Sequence, residues 1–366
     1  MAAKANQHFV PQYYFRFFVG DTKCIDLINL SSGRLIEQAS IKGQASKKYF
    51  YGDEAMEDNL TTLETLFRQP LRKLKQNKTF SCLDYEEVII ALQGITFQRS
   101  RTQAARLDHK VIAQQWAEMF KEISINNCDQ FSEDERVELM ESVSVEPNIE
   151  ALQLTLMVQA VKQGALLGDL GMVILKNRTS RPFIFGDAPV VFQNFFQKNI
   201  IDRGVLGLRT PGLQIYFPLD SRTAIYLYDP NAYNVKANKL GQVEVRSKDD
   251  VDKLNRLQVH NSSSAVYLPS KDSAGYVLQL WRESRREQFI SKGRIDEYSV
   301  KHEGQTRHIL LNYEAQLSYV PDLTFSSCSS LAASDDLLID REAWDGRRYI
   351  PDPRPWHMPE LRQRFD

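Results

Sequence analysis

The segment HFVPQYYFRFF (residues 8–18) is the most informative stretch of the chain. Three polar side chains, His8, Gln12 and Arg16, stand in a run that is otherwise almost wholly aromatic and apolar. The first residues of a domain usually fray unless packing holds them, and this segment carries enough aromatic surface to be buried. Buried polar side chains need hydrogen-bonding partners. We therefore expect the segment to join the core and to form part of a functional site.

Pro11 favours a short helix at this point, because a proline in the first helical turn loses no hydrogen bond. Gln12 and Arg16 would then lie one turn apart on the same face, with His8 just before the helix. An imidazole titrates near neutral pH, so His8 is predicted to act as a general acid or base. The alternative is that His8 only pins the N-terminal segment, and the sequence leaves both interpretations open.

The composition indicates a folded protein with a substantial core. The 366 residues suffice for one large or two ordinary domains, and 42% of them are hydrophobic. The 46 lysines and arginines nearly balance the 47 aspartates and glutamates. The overall charge therefore points neither to a nucleic-acid partner nor to a membrane partner.

The four cysteines lie far apart in the sequence, which argues against a zinc knuckle or a disulfide framework. The histidines also lack the spacing of a zinc site, so we expect no metal, and the sequence leaves the cofactor unknown. We find neither a signal peptide nor a run of about 18 apolar residues. These patterns predict a cytoplasmic protein with reduced thiols and no membrane-spanning segment.

The hydrophobic pattern predicts strands, then helices, then strands again. The predicted elements are a β-hairpin over residues 23–40, helices over 57–76, 84–126 (one helix or two), 132–142 and 149–167, strands over 172–175, 182–185, 214–217 and 224–228, and a helix over 249–266. Because residues 149–167 are apolar on nearly every side, that helix is predicted to be buried in a bundle. Without regular alternation of strand and helix, the fold class is α+β, with a largely antiparallel sheet packed with a helical bundle.

The domain organisation follows from a change in composition. Residues 1–270 are predicted to form the main α+β domain. Residues 271–366 are richer in charged and small polar side chains, and we interpret them as a C-terminal extension that is partly ordered.

One arginine is predicted to point into the interior. An apolar stripe within residues 88–95 runs at intervals of four and three, and its next positions are Arg99 and Thr102. A buried guanidinium is costly unless it is paired, so Arg99 must meet a structural carboxylate, a cluster of carbonyls or a phosphate-bearing ligand. Arg101 and Arg106 lie on other faces of the helix and would make the mouth of such a pocket basic.

The segment FGDAPVV (residues 185–191) supplies a carboxylate. A strand ends there in a tight turn that Gly186 and Pro189 shape, so Asp187 lies at the edge of a sheet, where functional groups are common. The alternative is that Asp187 only caps the turn. Asn261, on a later helix, could add an amide to the same pocket.

Over about residues 6–270 the chain resembles a family of bacterial and fungal proteins described as a domain of unknown function. The family opens with His-x-Val-Pro-Gln-x-Tyr-Leu-Arg-x-Phe, continues with a Gln-x-Arg-Ser/Thr helix end, and later has Ser-Asp-Asn-Pro-Val. This chain departs from that pattern at Phe15, in place of leucine, and at Gly186 and Ala188, in place of serine and asparagine.

The resemblance implies that His8, Gln12, Arg99 and Asp187 form one constellation, but it implies no established activity. Families of this kind in bacteria are often parts of host–phage conflict systems. By analogy alone, a role in antiviral defence is expected.

The sequence thus predicts an enzyme, a hydrolase that acts on nucleic acid or a nucleotide. His8 would be the general acid or base, Arg99 the phosphate clamp, and Asp187 the group that orients His8. The predicted substrate contacts are Gln12, Arg16, Arg101, Thr102 and Asn261. The alternative is a non-catalytic module that binds a ligand, a partner protein or a second copy of the chain. An accessible His8 would favour catalysis, whereas a sealed His8 would favour the binding module.

Overall fold

The structure is a computed structural model, which describes residues 6–52, 54–128, 130–200, 204–286, 290–291, 294–302, 305–313, 316–317 and 319–329. Its helices are α1 (Gln12–Val19), α2 (Glu54–Asn77), α3 (Tyr85–Ser100), α4 (Gln103–Asn126), α5 (Glu133–Ser142), α6 (Ile149–Gln163), α7 (Lys248–Asn261) and α8 (Ala274–Arg286). Its strands are β1 (Asn6–His8), β2 (Cys24–Asn29), β3 (Arg34–Ser40), β4 (Ser46–Lys48), β5 (Gly171–Asn177), β6 (Phe185–Gly186), β7 (Val191–Gln193), β8 (Gln214–Pro218), β9 (Thr223–Tyr228), β10 (Tyr233–Val235), β11 (Gln242–Val245), β12 (Ala265–Leu268), β13 (Ile290–Ser291), β14 (Arg294–His302), β15 (Gln305–Tyr313), β16 (Gln316–Leu317) and β17 (Ser326–Cys328).

Two sheets organise the chain. One has five strands in the order β11-β5-β9-β8-β7, and the other has four strands in the order β3-β2-β12-β6. Within the described residues, the β11–β5 pair is parallel and the other pairs are antiparallel. This arrangement confirms the predicted α+β class with largely antiparallel sheets.

The five-stranded sheet is covered on both faces, because successive side chains of a strand point to opposite sides. In β9, Ile225 and Leu227 join a large core with α2, α3 and the N-terminal segment. Their neighbours Ala224 and Tyr226 join a second core with α7. The sheet therefore lies between two apolar layers.

The helical predictions hold in outline. Residues 84–126 form two helices, since α3 ends at Ser100 and Thr102 caps α4 by accepting a hydrogen bond from the backbone N–H of Ala105. The prediction of a buried helix at residues 149–167 is wrong. In α6 only Gln153 and Met157 are buried, whereas Val158 is 54% exposed, because α6 packs on α3 and α4 with one side only.

The predicted helix over 249–266 also ends too late. Helix α7 stops at Asn261, and residues Ala265–Leu268 form β12, which pairs with β2 on one side and β6 on the other. The chain turns at three serines, 262–264. The hydroxyl of Ser262 donates to the carbonyl of Gln258 in the last turns of α7, and those of Ser263 and Ser264 donate to Asp187. Serine side chains compete in this way with helical backbone bonds.

Parts of the predicted C-terminal extension pack on the main domain. Trp281 of α8 donates from its indole N–H to the carbonyl of Leu30 at 3.1 Å, and Thr324 donates from its backbone N–H to the carboxylate of Asp250 at 3.0 Å. Strand β17 pairs with β10. Residues 330–366, which the prediction also includes, lie outside the described residues, and the boundary at residue 270 stays a prediction.

Within the described part of the chain, no helix combines the length and the apolar character needed to cross a membrane.

Candidate functional site

A cleft of about 480 Å³ lies where α3, α4 and α6 face β7 and the end of α7. Most of its wall is apolar and comes from residues such as Leu156, Val190 and Phe192. Side chains that carry chemistry also line it, namely Arg99, Asp108, His109, His260 and Asn261. The volume is typical of pockets that hold small molecules.

Arg99 is the one arginine or lysine among the described residues that line the cleft. Its guanidinium carbon lies 4.2 Å from the centre of the Phe192 ring, on the opposite wall. A guanidinium over an aromatic face is attracted to the ring and is held in orientation by it. Arg99 is half-buried, so this cation stands at the cleft wall and not deep in the core.

The deeply buried arginine is Arg101, which corrects the assignment made from the helical stripe. Arg101 is 1% exposed and pairs with Glu64 at 2.8 Å. Arg99 lies on the stripe within α3, but the stripe borders the cleft at that point, whereas Arg101 follows the last residue of α3 and its direction does not follow the helical period. Burial alone would lower the pKa of Arg101, but Glu64 and Tyr51 reverse this effect and raise it. Arg101 therefore stays charged inside the protein.

The end of α3 holds the N-terminal segment through its backbone. Gln98 donates from its side-chain amide to the carbonyl of Phe9 at 2.9 Å, and Arg101 donates to the carbonyl of His8 at 2.5 Å. Gln7 accepts from the backbone N–H of Tyr51 at 2.6 Å. The two motifs at residues 8–18 and 98–102 thus meet, and the contact is between side chains and backbone.

His8 is only 8% exposed and does not line the cleft. Its Nε2 lies 3.0 Å from the carbonyl oxygen of Lys42 and 3.5 Å from the amide nitrogen of Gln12. Burial lowers the pKa of the imidazole, although the Lys42 carbonyl partly opposes this shift. His8 is therefore a neutral group that pins the N-terminal strand to the segment around Lys42.

Asp187 is 1% exposed and has partners other than His8. Its carboxylate accepts from the backbone N–H groups of Ser263 and Ser264, each at 2.8 Å, and from both serine hydroxyls. Burial raises the pKa of Asp187, and the bonds from the serines act against this rise. Asp187 thus fixes the turn between α7 and β12 directly beside the cleft.

The wall that Asp187 supports is also held by amide side chains of α7. Asn261 donates to the carbonyls of Ala188 at 2.6 Å and Val190 at 3.2 Å, and Gln258 donates to the carbonyl of Pro189 at 2.9 Å. Because these bonds fix the backbone of residues 188–190, the apolar wall of the cleft is rigid.

The structure therefore divides the predicted constellation between two places. Arg99, Thr102 and Asn261 line the cleft, and Asp187 lies buried behind its wall. His8 and Arg101 belong to the N-terminal junction, where Gln12 is half-buried and Arg16 is exposed on α1.

Sequence reasoning missed three cleft residues, Asp108, His109 and His260. A signal for His109 was present, since it follows Thr102 by seven residues, or two helical turns, and so shares its face of α4. His260 directly precedes Asn261, but its ring also stacks on Tyr319 at 5.3 Å. Among the described residues, no group of three or more His, Cys, Asp or Glu side chains is arranged to hold a metal ion.

Fold and site together define an α+β protein with a small, mainly apolar cleft that carries one arginine. The chain belongs to the family described as "Protein of unknown function (DUF4238)", whose profile matches residues 6–272. Comparisons with curated proteins and with solved structures found no match.

Proposed function

We propose that the cleft binds a small phosphate-containing molecule of nucleotide size and that the protein is an enzyme acting on it. The observation that carries this proposal is the position of Arg99, which is held over Phe192 at the wall of an apolar cleft of about 480 Å³. Arginine suits phosphate because its planar group offers several donors in a fixed geometry. The apolar wall suits a flat base.

The size and charge of the cleft favour a nucleotide over a nucleic-acid strand. A protein that tracks a phosphate backbone usually presents a basic groove with several cations, whereas the described lining of this cleft has one arginine and no lysine. Asp108 and His109 supply groups able to move a proton. We assign the role of general acid or base to His109, because the imidazole of His8 lies outside the cleft.

A binding experiment with a matched control tests the proposal. Nucleoside mono-, di- and triphosphates are titrated into the wild type, Arg99→Gln and Arg16→Gln by calorimetry. Arg16 is an exposed arginine outside the cleft. A charge-assisted hydrogen bond contributes about 1.5–3 kcal/mol. Arg99→Gln should therefore bind the nucleotide about tenfold or more weakly than the wild type, whereas Arg16→Gln should bind as the wild type does. If no nucleotide binds the wild type, or if Arg99→Gln binds as the wild type does, the proposal fails.

Turnover separates the enzyme from the second candidate, a non-catalytic binding module. The buried position of His8 favours that candidate, because it removes the predicted general acid or base from any exposed surface. Nucleotides that bind are incubated with the wild type and His109→Gln, and products are resolved by chromatography. Turnover that His109→Gln loses, with binding kept, supports the enzyme. Binding without turnover supports the module.

The hydrolase class, the cytoplasmic location and the antiviral role remain proposals of the same kind. Phage plating on cells that express the wild type or Arg99→Gln tests the antiviral role. Protection that depends on Arg99 would link the role to the cleft, and equal plating on all strains would remove it.

A further inference from the structure

A second cavity, of about 360 Å³, is lined by Lys78, Lys176, Asn177, Arg178, Thr179 and Arg222. None of these residues lines the cleft that contains Arg99. Four of the six carry a positive charge, and no carboxylate is among the described residues that line the cavity. We call this site the basic cavity.

The cations of the basic cavity come from three separate parts of the fold. Lys78 follows the last residue of α2, Lys176 and Arg178 lie at the end of β5, and Arg222 lies in the turn between β8 and β9. Like charges brought together in this way repel each other. Their convergence is therefore a cost that the fold must offset elsewhere, and a bound anion would remove it.

Buried amides hold the cavity in shape. Gln242 is 8% exposed; it accepts from the Lys176 ammonium at 3.2 Å and donates to the backbone carbonyl of Lys78 at 2.8 Å. Asn177 is 5% exposed and accepts from both the N–H and the hydroxyl of Thr179. Arg222 donates to the carbonyl of Thr179. These hydrogen bonds fix the side chains of Lys176 and Arg222 and the backbone of Lys78. Such preorganisation lowers the entropy cost of binding a ligand.

A neighbouring carboxylate pairs with one of the four cations, and the cavity stays positive through the other three. Glu244 pairs with Arg178 at 3.0 Å and also with Arg246. Asp220 accepts from the backbone N–H of Arg222 at 2.8 Å. The ammonium group of Lys78, which is half-buried, has no hydrogen bond or ion pair within the described part of the chain. It is the group that a ligand would satisfy first.

We propose that the basic cavity binds a small polyphosphate anion, either as an inorganic ion or as the phosphate chain of a nucleotide. A single phosphate has at most two negative charges near neutral pH, whereas a chain of two or three phosphoryl groups comes closer to the charge of Lys78, Lys176 and Arg222, the three cations of the cavity that are not paired with Glu244. Lysine binds phosphate as a point charge and arginine binds it through paired donors, and the cavity offers both. This site is additional to the nucleotide site at Arg99.

The test uses tripolyphosphate, which lacks a nucleoside and so has no group for the apolar cleft. It is titrated at low and high salt into the wild type, Lys78→Gln, Arg222→Gln and the control Lys239→Gln, which removes an exposed lysine outside the cavity. We expect binding that weakens with salt, is reduced about tenfold or more in Lys78→Gln and Arg222→Gln, and is unchanged in the control. No binding to the wild type, or equal loss in the control, overturns the proposal.

Thermal melts distinguish a lost site from a damaged fold. Without anion at low salt, Lys78→Gln should melt at or above the wild-type temperature, because it removes a repelling charge. Tripolyphosphate should raise the melting temperature of the wild type but raise it less in Lys78→Gln. A variant that melts lower than the wild type without anion, yet gains the full rise, contradicts the proposal.

The same titration in Arg99→Gln distinguishes binding in the basic cavity from binding in the cleft that contains Arg99. Tripolyphosphate binding should survive this substitution, whatever happens to nucleotide binding in the cleft. Replacing tripolyphosphate with a nucleoside triphosphate then distinguishes the two sources, since a nucleotide ligand would bind the basic cavity more tightly than the inorganic ion. If single-stranded nucleic acid binds through Lys78 and Arg222 while tripolyphosphate does not, a nucleic-acid surface replaces the small-anion site.

Discussion

Arg101 donates a hydrogen bond to the backbone carbonyl of His8, which lies 93 positions away in the sequence. The same guanidinium pairs with Glu64 of α2. One buried side chain therefore ties the N-terminal strand to two helices. Arg101 is therefore expected to stabilise this junction, and its contribution to the free energy of unfolding can be measured directly.

Arg101→Met should lower the free energy of unfolding by up to about 3–5 kcal/mol, because it leaves the His8 carbonyl without its donor and the partly exposed Glu64 without its counter-charge. Urea unfolding followed by circular dichroism measures this loss. Arg72→Met, at an exposed position of α2, is the control and should change stability by less than about 0.5 kcal/mol. A decrease in the free energy of unfolding below about 1 kcal/mol in Arg101→Met would contradict this stabilising role of Arg101.

The stability of the protein should fall with decreasing pH through His8. Burial lowers the pKa of its imidazole below the ordinary value of 6.5, so below about pH 6.5 the unfolded chain binds more protons there than the folded chain does. The free energy of unfolding, measured in urea between about pH 7.5 and about pH 5.5, should therefore decrease less in His8→Gln than in the wild type. Identical slopes would show that His8 titrates alike in both states.

His8→Gln should also keep the nucleotide binding of the wild type, since His8 does not line the cleft. Calorimetry on the same protein samples provides this comparison. Loss of binding at unchanged stability would return His8 to the functional site.

Asp187→Ala should destabilise the protein by about 3–5 kcal/mol, because four donors of Ser263 and Ser264 lose their common acceptor inside the protein. Ser264→Ala removes one of these donors and should cost about 1 kcal/mol. Chemical unfolding of both variants and the wild type measures the two losses in the free energy of unfolding. A small loss in Asp187→Ala, similar to that in Ser264→Ala, would indicate that water replaces the carboxylate as the acceptor of the serine donors.

Gly186→Ala should be strongly destabilising, because the added Cβ would lie 1.6 Å from the hydroxyl oxygen of Ser262. Ser262→Gly removes that hydroxyl but leaves the backbone carbonyl oxygen of Gln258 at 3.0 Å from the added Cβ, so the double variant should recover part of the stability lost in Gly186→Ala. Unfolding of the wild type, the two single variants and the double variant forms a complete cycle. Additive losses would show that the two residues do not compete for the same space. The cycle also tests why this chain has Gly186 at the position where the family pattern has serine.

Local pattern was sufficient to predict much of the fold. The hairpin over residues 23–40, the helices up to α6 and the strands β5, β8 and β9 follow from spacing and capping residues. Strand β12 was missed because residues 265–268 are apolar and directly follow a helix. Their strand conformation depends on β2 and β6, which are distant in sequence.

The candidate site was only partly predictable, for a similar reason. Arg99, Thr102 and Asn261 were identified, but their common cleft with His109 arises from the packing of α3, α4 and α7, which residue spacing does not encode. The interchange of Arg99 and Arg101 has a local cause. Arg99 lies on the stripe but faces the cleft, and Arg101 comes after the last residue of α3, where the stripe no longer gives the direction of a side chain.

The central position of β12 in the four-stranded sheet has a consequence for how the protein is made. Asn29 of β2 pairs with Ala265, so a nascent chain emerging from the ribosome exposes the edge of its first hairpin until more than 200 further residues have been translated. At about 5–20 residues per second, this interval lasts tens of seconds. During that time the unpaired edge of β2 is open to pairing with other strands, so chains that stop before residue 265 are expected to aggregate.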